Sequence, residues 1–111
     1  MVEISYEEWK KLKMVVGIIE EVERIPRTEK LYKLQVGVGT VKPVQIVTSL
    51  VPYYTEEELK GRKIIVLLNL ELAKFAGEVS EAMLLCAEKE DGSECVLLTV
   101  EKDIEVGAPI T

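Results

Sequence analysis

The sequence predicts an all-β fold, a five-stranded Greek-key barrel with short helices and N- and C-terminal extensions, on three observations. The chain has 111 residues, the size of one domain, and 48% of them are apolar, enough for a single core. Five stretches have the composition or the alternation of barrel strands. A short helix stands between the third and the fourth, and this order is the one expected of an OB-type barrel spanning residues 1–111.

The N-terminal extension predicts a short helix that begins after Ser5. Ser5 and Glu8 have the spacing of a capping box, and Trp9 and Leu12 suit one apolar helix face. Tyr6 and Trp9 lie three residues apart. We expect them either to cover the core or to contact a second subunit.

Three strands follow the helix. The first runs over 14–22, and Gly17 inside it predicts a bulge or a bend. The segment 24–29, RIPRTE, is a loop, and 42–49, KPVQIVTS, is the third strand. The second strand, 30–38, alternates and points one set of residues to the core: Tyr32, Leu34, Val36 and Val38.

One helix and three further strands complete the predicted elements. Thr55 and Glu58 have capping-box spacing, and Gly61 suits the end of that helix. Apolar strands are predicted at 63–70 and 82–88. A last strand, 94–100, follows a turn at Asp91-Gly92.

The segment between strands four and five, 71–81, is the longest predicted loop. It separates two apolar strands with polar residues such as Glu78, Ser80 and Glu81. Loops of this length in compact domains are often functional. OB-type barrels carry ligands on the face of strands two and three and on the loops one–two and four–five. The sequence therefore predicts a binding surface where 71–81 meets 24–29.

Composition disfavours several classes of protein. Histidine is absent, which removes the usual general base and the commonest zinc ligand. Cys86 and Cys95 cannot complete a structural zinc site alone; we expect reduced, buried thiols, with a disulfide as the alternative. The sequence thus predicts no enzyme, no metal and no cofactor. The longest apolar run, 64–68, is too short to cross a membrane and no export signal is visible, which predicts a cytoplasmic protein.

The charge is distributed unevenly along the chain. The net charge of −6 is made of −3 over residues 1–23, +4 over 24–74 and −7 over 75–111. Phosphate binding depends on the local field rather than on this total. A barrel would gather cations of the middle segment at one mouth, whereas the alternative fold, a β-sandwich with an edge helix, would scatter them. The cations concerned are Arg24, Arg27, Lys30 and Lys33.

Four stretches together resemble a known family. They are EKLYKLQVGVG (29–39), QIVTSL (45–50), YYTEEELKGRKIIVLLNL (53–70) and GEVSEAMLL (77–85). In this order they resemble the tRNA-binding domain of free-standing tRNA-binding proteins, of the methionyl-tRNA synthetase C-terminal or beta-subunit type, and of the endothelial monocyte-activating polypeptide. The resemblance implies an OB-fold, a homodimer formed through segments outside the barrel, and recognition of tRNA by shape. It also implies an accessory role, in trans, in aminoacylation by an aminoacyl-tRNA synthetase.

Family motif positions supply five candidate RNA-binding residues, and each has a structural alternative. The five are Lys30, Asn69, Lys74, Ser80 and Met83. Asn69 would otherwise satisfy turn backbone, Ser80 would cap local backbone, and Met83 would fill the core. Tyr32 also matches a motif position, but its parity places it in the core.

Position in the barrel adds four more candidates. Arg24, Arg27 and Lys33 are included because they border the predicted mouth. Phe75 is included because an exposed ring beside a lysine suits base stacking. The alternative for the three cations is that they only form a solvated surface. The alternative for Phe75 is that its ring is buried against the barrel.

The chain departs from the family pattern at four positions. Val15 replaces an arginine, Ile25 a histidine, Gly37 an acid and Ala82 a glycine. The resemblance implies a phosphate contact for that arginine and a close backbone approach at the glycine that Ala82 replaces, so these changes bear on tRNA affinity more than on the fold. A sister branch of similar size is described as an export-related chaperone, so binding of unfolded polypeptide is an alternative function. A purely structural subunit is a third.

Overall fold

The computed structural model describes residues 1–111. Two short helices, α1 (Tyr6–Lys10) and α2 (Glu56–Leu59), accompany ten strands. The strands are β1 (Met14–Arg24), β2 (Tyr32–Gly37), β3 (Val44–Thr48), β4 (Lys63–Leu67), β5 (Ala73–Phe75), β6 (Glu78–Ser80), β7 (Met83–Leu84), β8 (Cys86–Glu88), β9 (Cys95–Leu97) and β10 (Pro109–Ile110). Neither helix has the length and the apolar character that a bilayer crossing requires.

Five antiparallel strands form a nearly closed barrel, which confirms the predicted fold class. Their order is β3-β2-β1-β4-β7, and β10 pairs with the start of β1. The long β1 serves two neighbours, because its first half pairs with β4 and its second half with β2. β8 and β9 form a separate hairpin, so the predicted strand 82–88 is divided in two.

The irregularity in β1 does not lie where the sequence predicts it. The register shifts between Ile19 and Glu21, not at Gly17. Gly17 has another role: a Cβ there would lie 2.8 Å from Val66 Cγ2 and 2.9 Å from Val36 Cγ1. Contacts this short are repulsive, so glycine is required for neighbouring strands to approach.

The alternation of β2 determines one wall of the core. The predicted inward set is confirmed, since Tyr32, Leu34, Val36 and Val38 expose at most 4% of their surface. They belong to a cluster of 13 buried residues that Leu59 of α2 also enters. Each large aliphatic side chain buried in this way stabilises the fold by about 1.5–3 kcal/mol.

Both helices begin as predicted. Ser5 with Glu8, and Thr55 with Glu58, form complete capping boxes. Gly61 follows α2 with φ of +83°, the left-handed conformation typical of a helix C-terminus. The two helices differ in burial, because α2 inserts Leu59 into the core whereas α1 buries no residue.

The segment predicted as a loop, 71–81, contains a hairpin instead. β5 and β6 pair from Ala73 with Ser80 to Phe75 with Glu78. Ala76 and Gly77 connect them with φ of +53° and +83°, the left-handed pair of a two-residue hairpin turn. The hairpin gives the segment a defined shape over the barrel.

Candidate nucleic-acid interface

The β1–β2 loop, residues 25–31, contacts the β5–β6 hairpin through Arg27. Its Nε donates a 3.1 Å hydrogen bond to the carbonyl oxygen of Ala76, and Nη2 donates to the same oxygen. Nη2 also lies 3.1 Å from Glu78 Oε2. The loops one–two and four–five of the predicted barrel therefore meet in the structure.

Lys33 strengthens the same junction. Its Nζ lies 3.4 Å from Glu78 Oε1 and 3.7 Å from Glu23 Oε1. Glu78 thus has one cation on each carboxylate oxygen. Hydrogen bonds from Arg27 and then from Lys33 hold the pKa of Glu78 below its usual value, so this carboxyl is ionised at neutral pH.

Three further cations lie on the same two elements or at their edge. Arg24 Nη2 donates to the carbonyl oxygens of Thr28 at 3.2 Å and Glu29 at 3.3 Å. Lys30 in the loop and Lys74 on β5 are exposed, and their ammonium groups make no hydrogen bond or ion pair. We call the five cations the basic rim: Arg24, Arg27, Lys30, Lys33 and Lys74.

Phe75 lies beside Lys74 at the end of β5. It is 37% exposed and pairs with Glu78 across the hairpin. The ring is therefore partly accessible next to the basic rim, which is the arrangement that base stacking beside a phosphate contact requires.

Ser80 takes part in closing the barrel. Its hydroxyl is buried, accepts a 3.1 Å hydrogen bond from Val47 N–H and donates a 2.8 Å bond to the carbonyl oxygen of Ala82. Glu81 and Gln45 add two bonds of 2.8 Å across the same gap, one between backbone groups and one from Gln45 N–H to the Glu81 carboxylate. These bonds join β3 to the segment before β7, where no strand pairing exists.

Asn69 and Met83 lie away from the basic rim. Asn69 Oδ1 accepts from Lys13 N–H at 2.9 Å and Nδ2 donates to the Lys11 carbonyl at 2.6 Å. This amide ties the segment after α1 to the end of β4, near the start of β1, whereas the rim follows the end of β1. Met83 pairs with Leu67 and packs half-buried against the core. RNA contacts of Asn69, Ser80 and Met83 stay predictions.

The four departures from the family pattern fit the packing of this chain. Ile25 and Ala82 are each 2% exposed. Val15 lies on β1 between Val66 of β4 and Pro109 of β10 and packs against the core. A Cβ at Gly37 would lie 2.7 Å from the end of a glutamate side chain on β1.

Burial raises the pKa of two groups that pack in or against the core, Tyr32 and Cys86. Tyr32 donates its hydroxyl to the carbonyl oxygen of Tyr54 at 2.7 Å, and burial raises the pKa of Tyr32. Cys86 and Cys95 are free thiols packed against the core. Burial, followed by the neighbouring Cys95, raises the pKa of Cys86 to about 12, so its reactive thiolate form is suppressed.

An apolar groove lies outside the barrel, between α1, β10 and the start of β1. Its volume is about 790 Å³. Tyr6 is 70% exposed, and Trp9 and Leu12 are each 40% exposed along it. Leu68 and Ile110 line it from the barrel side. The ring of Trp9 is therefore no cover for the core, which leaves contact with a second subunit as the prediction for α1.

The sequence does not predict that Glu78 pairs with two cations of the rim. Glu78 precedes Val79 and Ser80 in a stretch that looks like a polar loop. Its pairing with Arg27 and Lys33 spans 51 and 45 residues and depends on the hairpin. A hairpin prediction for 73–80 is the signal that would reveal it.

A family model and two sequence relatives show which proteins this domain is similar to. A family model, the putative tRNA binding domain, matches residues 14–109. The methionine–tRNA ligase of Methanocaldococcus jannaschii is 45% identical over 109 residues, which are 98% of this chain and 16% of the ligase. A methionine–tRNA ligase of Archaeoglobus fulgidus is 41% identical over 97% of this chain and, again, 16% of the ligase. The chain therefore spans about one sixth of the length of these relatives.

Two solved structures share this fold over nearly the whole chain. A MetRS-related protein from Pyrococcus horikoshii superposes with a TM-score of 0.91 at 39% identity, over 100% of both chains. The CsaA chaperone protein from Picrophilus torridus has a TM-score of 0.86 and 31% identity, over 98% of this chain and 100% of that one. Because the family model covers most of the chain and these relatives align over nearly all of it, the chain belongs to the putative tRNA binding domain family.

Proposed function

We propose that this domain binds tRNA by its shape and acts in trans as an accessory to aminoacylation by a methionyl-tRNA synthetase. The observation that carries the proposal is the junction of the 25–31 loop with the β5–β6 hairpin, because these two elements carry three of the five rim cations, Arg27, Lys30 and Lys74. Lys30 and Lys74 supply ammonium groups without a protein partner, and such groups bind phosphates with release of counterions. Double-stranded RNA is recognised mainly by shape through its phosphates and 2′-hydroxyls, so a rim of this kind requires no base reading.

The relatives support the proposed accessory role. The chain matches about one sixth of the length of methionine–tRNA ligases, and we propose that it performs no chemistry itself. A domain that held both a synthetase and a tRNA would raise the effective concentration of tRNA at the enzyme. The proposed setting is the cytoplasm, with no cofactor.

Charge reversal at two rim lysines tests the RNA site. Lys30→Glu with Lys74→Glu is expected to weaken tRNA binding at least about tenfold at low salt, because two phosphate contacts become repulsive. The matched control is Lys42→Glu with Lys102→Glu, two exposed lysines without side-chain partners, and Lys42 follows the far end of β2. A gel-shift titration with total tRNA measures both. If the two double variants bind tRNA equally, the basic rim is not the RNA-binding site.

Binding of unfolded polypeptide is the second candidate function. It is favoured by the likeness to the CsaA chaperone protein and by the apolar groove beside α1. Salt separates the two candidates, since RNA binding weakens steeply from low to moderate salt whereas apolar capture changes little. The test titrates the protein with tRNA and with an unfolded polypeptide at two salt concentrations. We expect it to bind tRNA, with an affinity that falls steeply as the salt concentration rises.

We further propose that the apolar groove joins two copies of the chain as a homodimer. An exposed tryptophan next to exposed leucine and tyrosine side chains is typical of such contacts rather than of a free surface. The test is the molecular mass in solution, and a monomeric mass at micromolar concentration would contradict the proposal.

A further inference from the structure

One carboxylate, that of Glu78, contacts two cations of the basic rim. Glu78 places Oε2 at 3.1 Å from Arg27 Nη2 and Oε1 at 3.4 Å from Lys33 Nζ. The two oxygens of this carboxylate each face a different cation. Two oxygens of one phosphate group would face the two cations in the same way. The one negative charge of Glu78 therefore offsets one of the two positive charges before any ligand arrives, and Lys33 Nζ also lies 3.7 Å from Glu23 Oε1.

We propose that Glu78 determines the selectivity of the rim, because it occupies the place of an RNA phosphate and must be displaced when RNA binds. This inference rests on the proposed function. A carboxylate carried by the chain competes at a high effective concentration, so an isolated phosphate displaces it poorly. A folded RNA brings several phosphates at once, and those held by Lys30 and Lys74 assist the displacement. Glu78 thus disfavours short or weakly charged polyanions more than it disfavours tRNA.

The contacts of Glu78 allow such an exchange. The side chains of Arg27, Lys33 and Glu78 are 55%, 22% and 27% exposed, so solvent reaches all three, and ion pairs that solvent reaches are weak enough for a phosphate to replace. The hairpin does not depend on Glu78 for its attachment, because Arg27 also donates to the backbone carbonyl of Ala76. Departure of the carboxylate leaves that anchor in place.

The test compares Glu78→Gln with Glu90→Gln. Both changes remove one negative charge, and Glu90 is an exposed residue at the β8–β9 turn whose side chain has no partner. Glu78→Gln is expected to bind tRNA about three- to tenfold more tightly and to steepen the slope of log K against log salt by about one. For a short single-stranded oligonucleotide the gain should be larger, so the preference for tRNA falls. Glu90→Gln should leave affinity, slope and preference near those of the wild type.

The outcomes separate this inference from the function on which it rests. A wild-type protein that binds no tRNA at low salt overturns the proposed function, and the inference falls with it. Wild-type binding together with a Glu78→Gln variant no tighter than Glu90→Gln overturns the inference alone. In the background of Arg27→Gln, the gain from Glu78→Gln should shrink, since one of the released cations is gone. Glu78→Thr, a neutral residue suited to a strand, repeats the measurement if the glutamine variant loses its circular dichroism spectrum.

Discussion

The hydroxyl of Ser80 joins two parts of the barrel that no strand pairing joins. The hydroxyl accepts a hydrogen bond from the N–H of Val47 on β3 and donates one to the carbonyl oxygen of Ala82, which precedes β7. Ser80 is only 3% exposed, so water cannot replace either hydrogen-bond partner of its hydroxyl. The polar residues of this stretch thus serve closure of the barrel.

Ser80→Ala is expected to lower the free energy of unfolding by about 1–3 kcal/mol, because it leaves the buried N–H of Val47 unpaired. Urea unfolding at neutral pH measures the change. Ser93→Ala, which removes an exposed hydroxyl bonded to Asp91, serves as the control and should stay within about 0.5 kcal/mol of wild type. If both variants unfold at the same urea concentration, the closing role of Ser80 is wrong.

At the scale of single residues, the sequence predicts exposure better than partnership. Lys30, at the start of the predicted second strand, and Lys74, in the predicted 71–81 loop, are both predicted as RNA-binding cations, and both are exposed in the structure. The partners of Asn69 and Ser80 are 56 and 33 residues away in the chain, so no local pattern contains them. The same distance in sequence conceals the pairing of Arg27 with Glu78.

The β5–β6 hairpin determines how the two loops of the rim meet. Its turn needs two left-handed residues, and Ala76 supplies one at φ of +53°. A left-handed alanine is strained by about 1–2 kcal/mol relative to its normal conformation, a strain that glycine does not have. Arg27 contacts this turn through the backbone carbonyl of Ala76, so the contact tolerates a change of side chain.

Ala76→Gly is therefore expected to stabilise the hairpin, by up to about 1 kcal/mol once the greater freedom of unfolded glycine is subtracted. Gly77→Ala is the opposite change in the same turn, at φ of +83°, and should destabilise it. Amide hydrogen exchange of β5 and β6 measures the opening of the hairpin directly. Faster exchange in Ala76→Gly than in the wild type would contradict the strain at this turn.

Elements with local signals are predictable here, and elements defined by pairing are not. The capping boxes at Ser5 and Thr55 and the alternation of β2 are each contained in a few residues, and the structure confirms them. β5 and β6 have three residues each, too few for alternation, and Ala76-Gly77 lacks the asparagine or aspartate that marks such turns. The bulge after Ile19 depends on β1 serving two neighbours, which only the assembled barrel requires.

At the scale of the whole molecule, the basic rim and the apolar groove lie near opposite ends of β1. The chain has a net charge of −6, yet the five rim cations lie on the loop and hairpin that Arg27 connects, or directly beside them. The apolar groove lies near the start of β1, and the rim follows its other end. A homodimer formed through the groove would therefore leave the two rims free, and one tRNA could contact both.

Leu12→Glu tests this arrangement, because it introduces a charge into the groove without touching the rim. We expect the wild type to sediment at twice the mass of one 12.5 kDa chain. The Leu12→Glu dimer should dissociate into monomers at a protein concentration at least about tenfold higher than the wild-type dimer does, because burying a carboxylate in an apolar contact is costly. Val41→Glu is the matched control, as Val41 is a fully exposed apolar residue in the β2–β3 turn and should leave the mass unchanged. If the monomeric Leu12→Glu variant also binds tRNA more weakly while Val41→Glu does not, both rims of the dimer contribute to one complex. Equal masses for the two variants would exclude the groove as the contact.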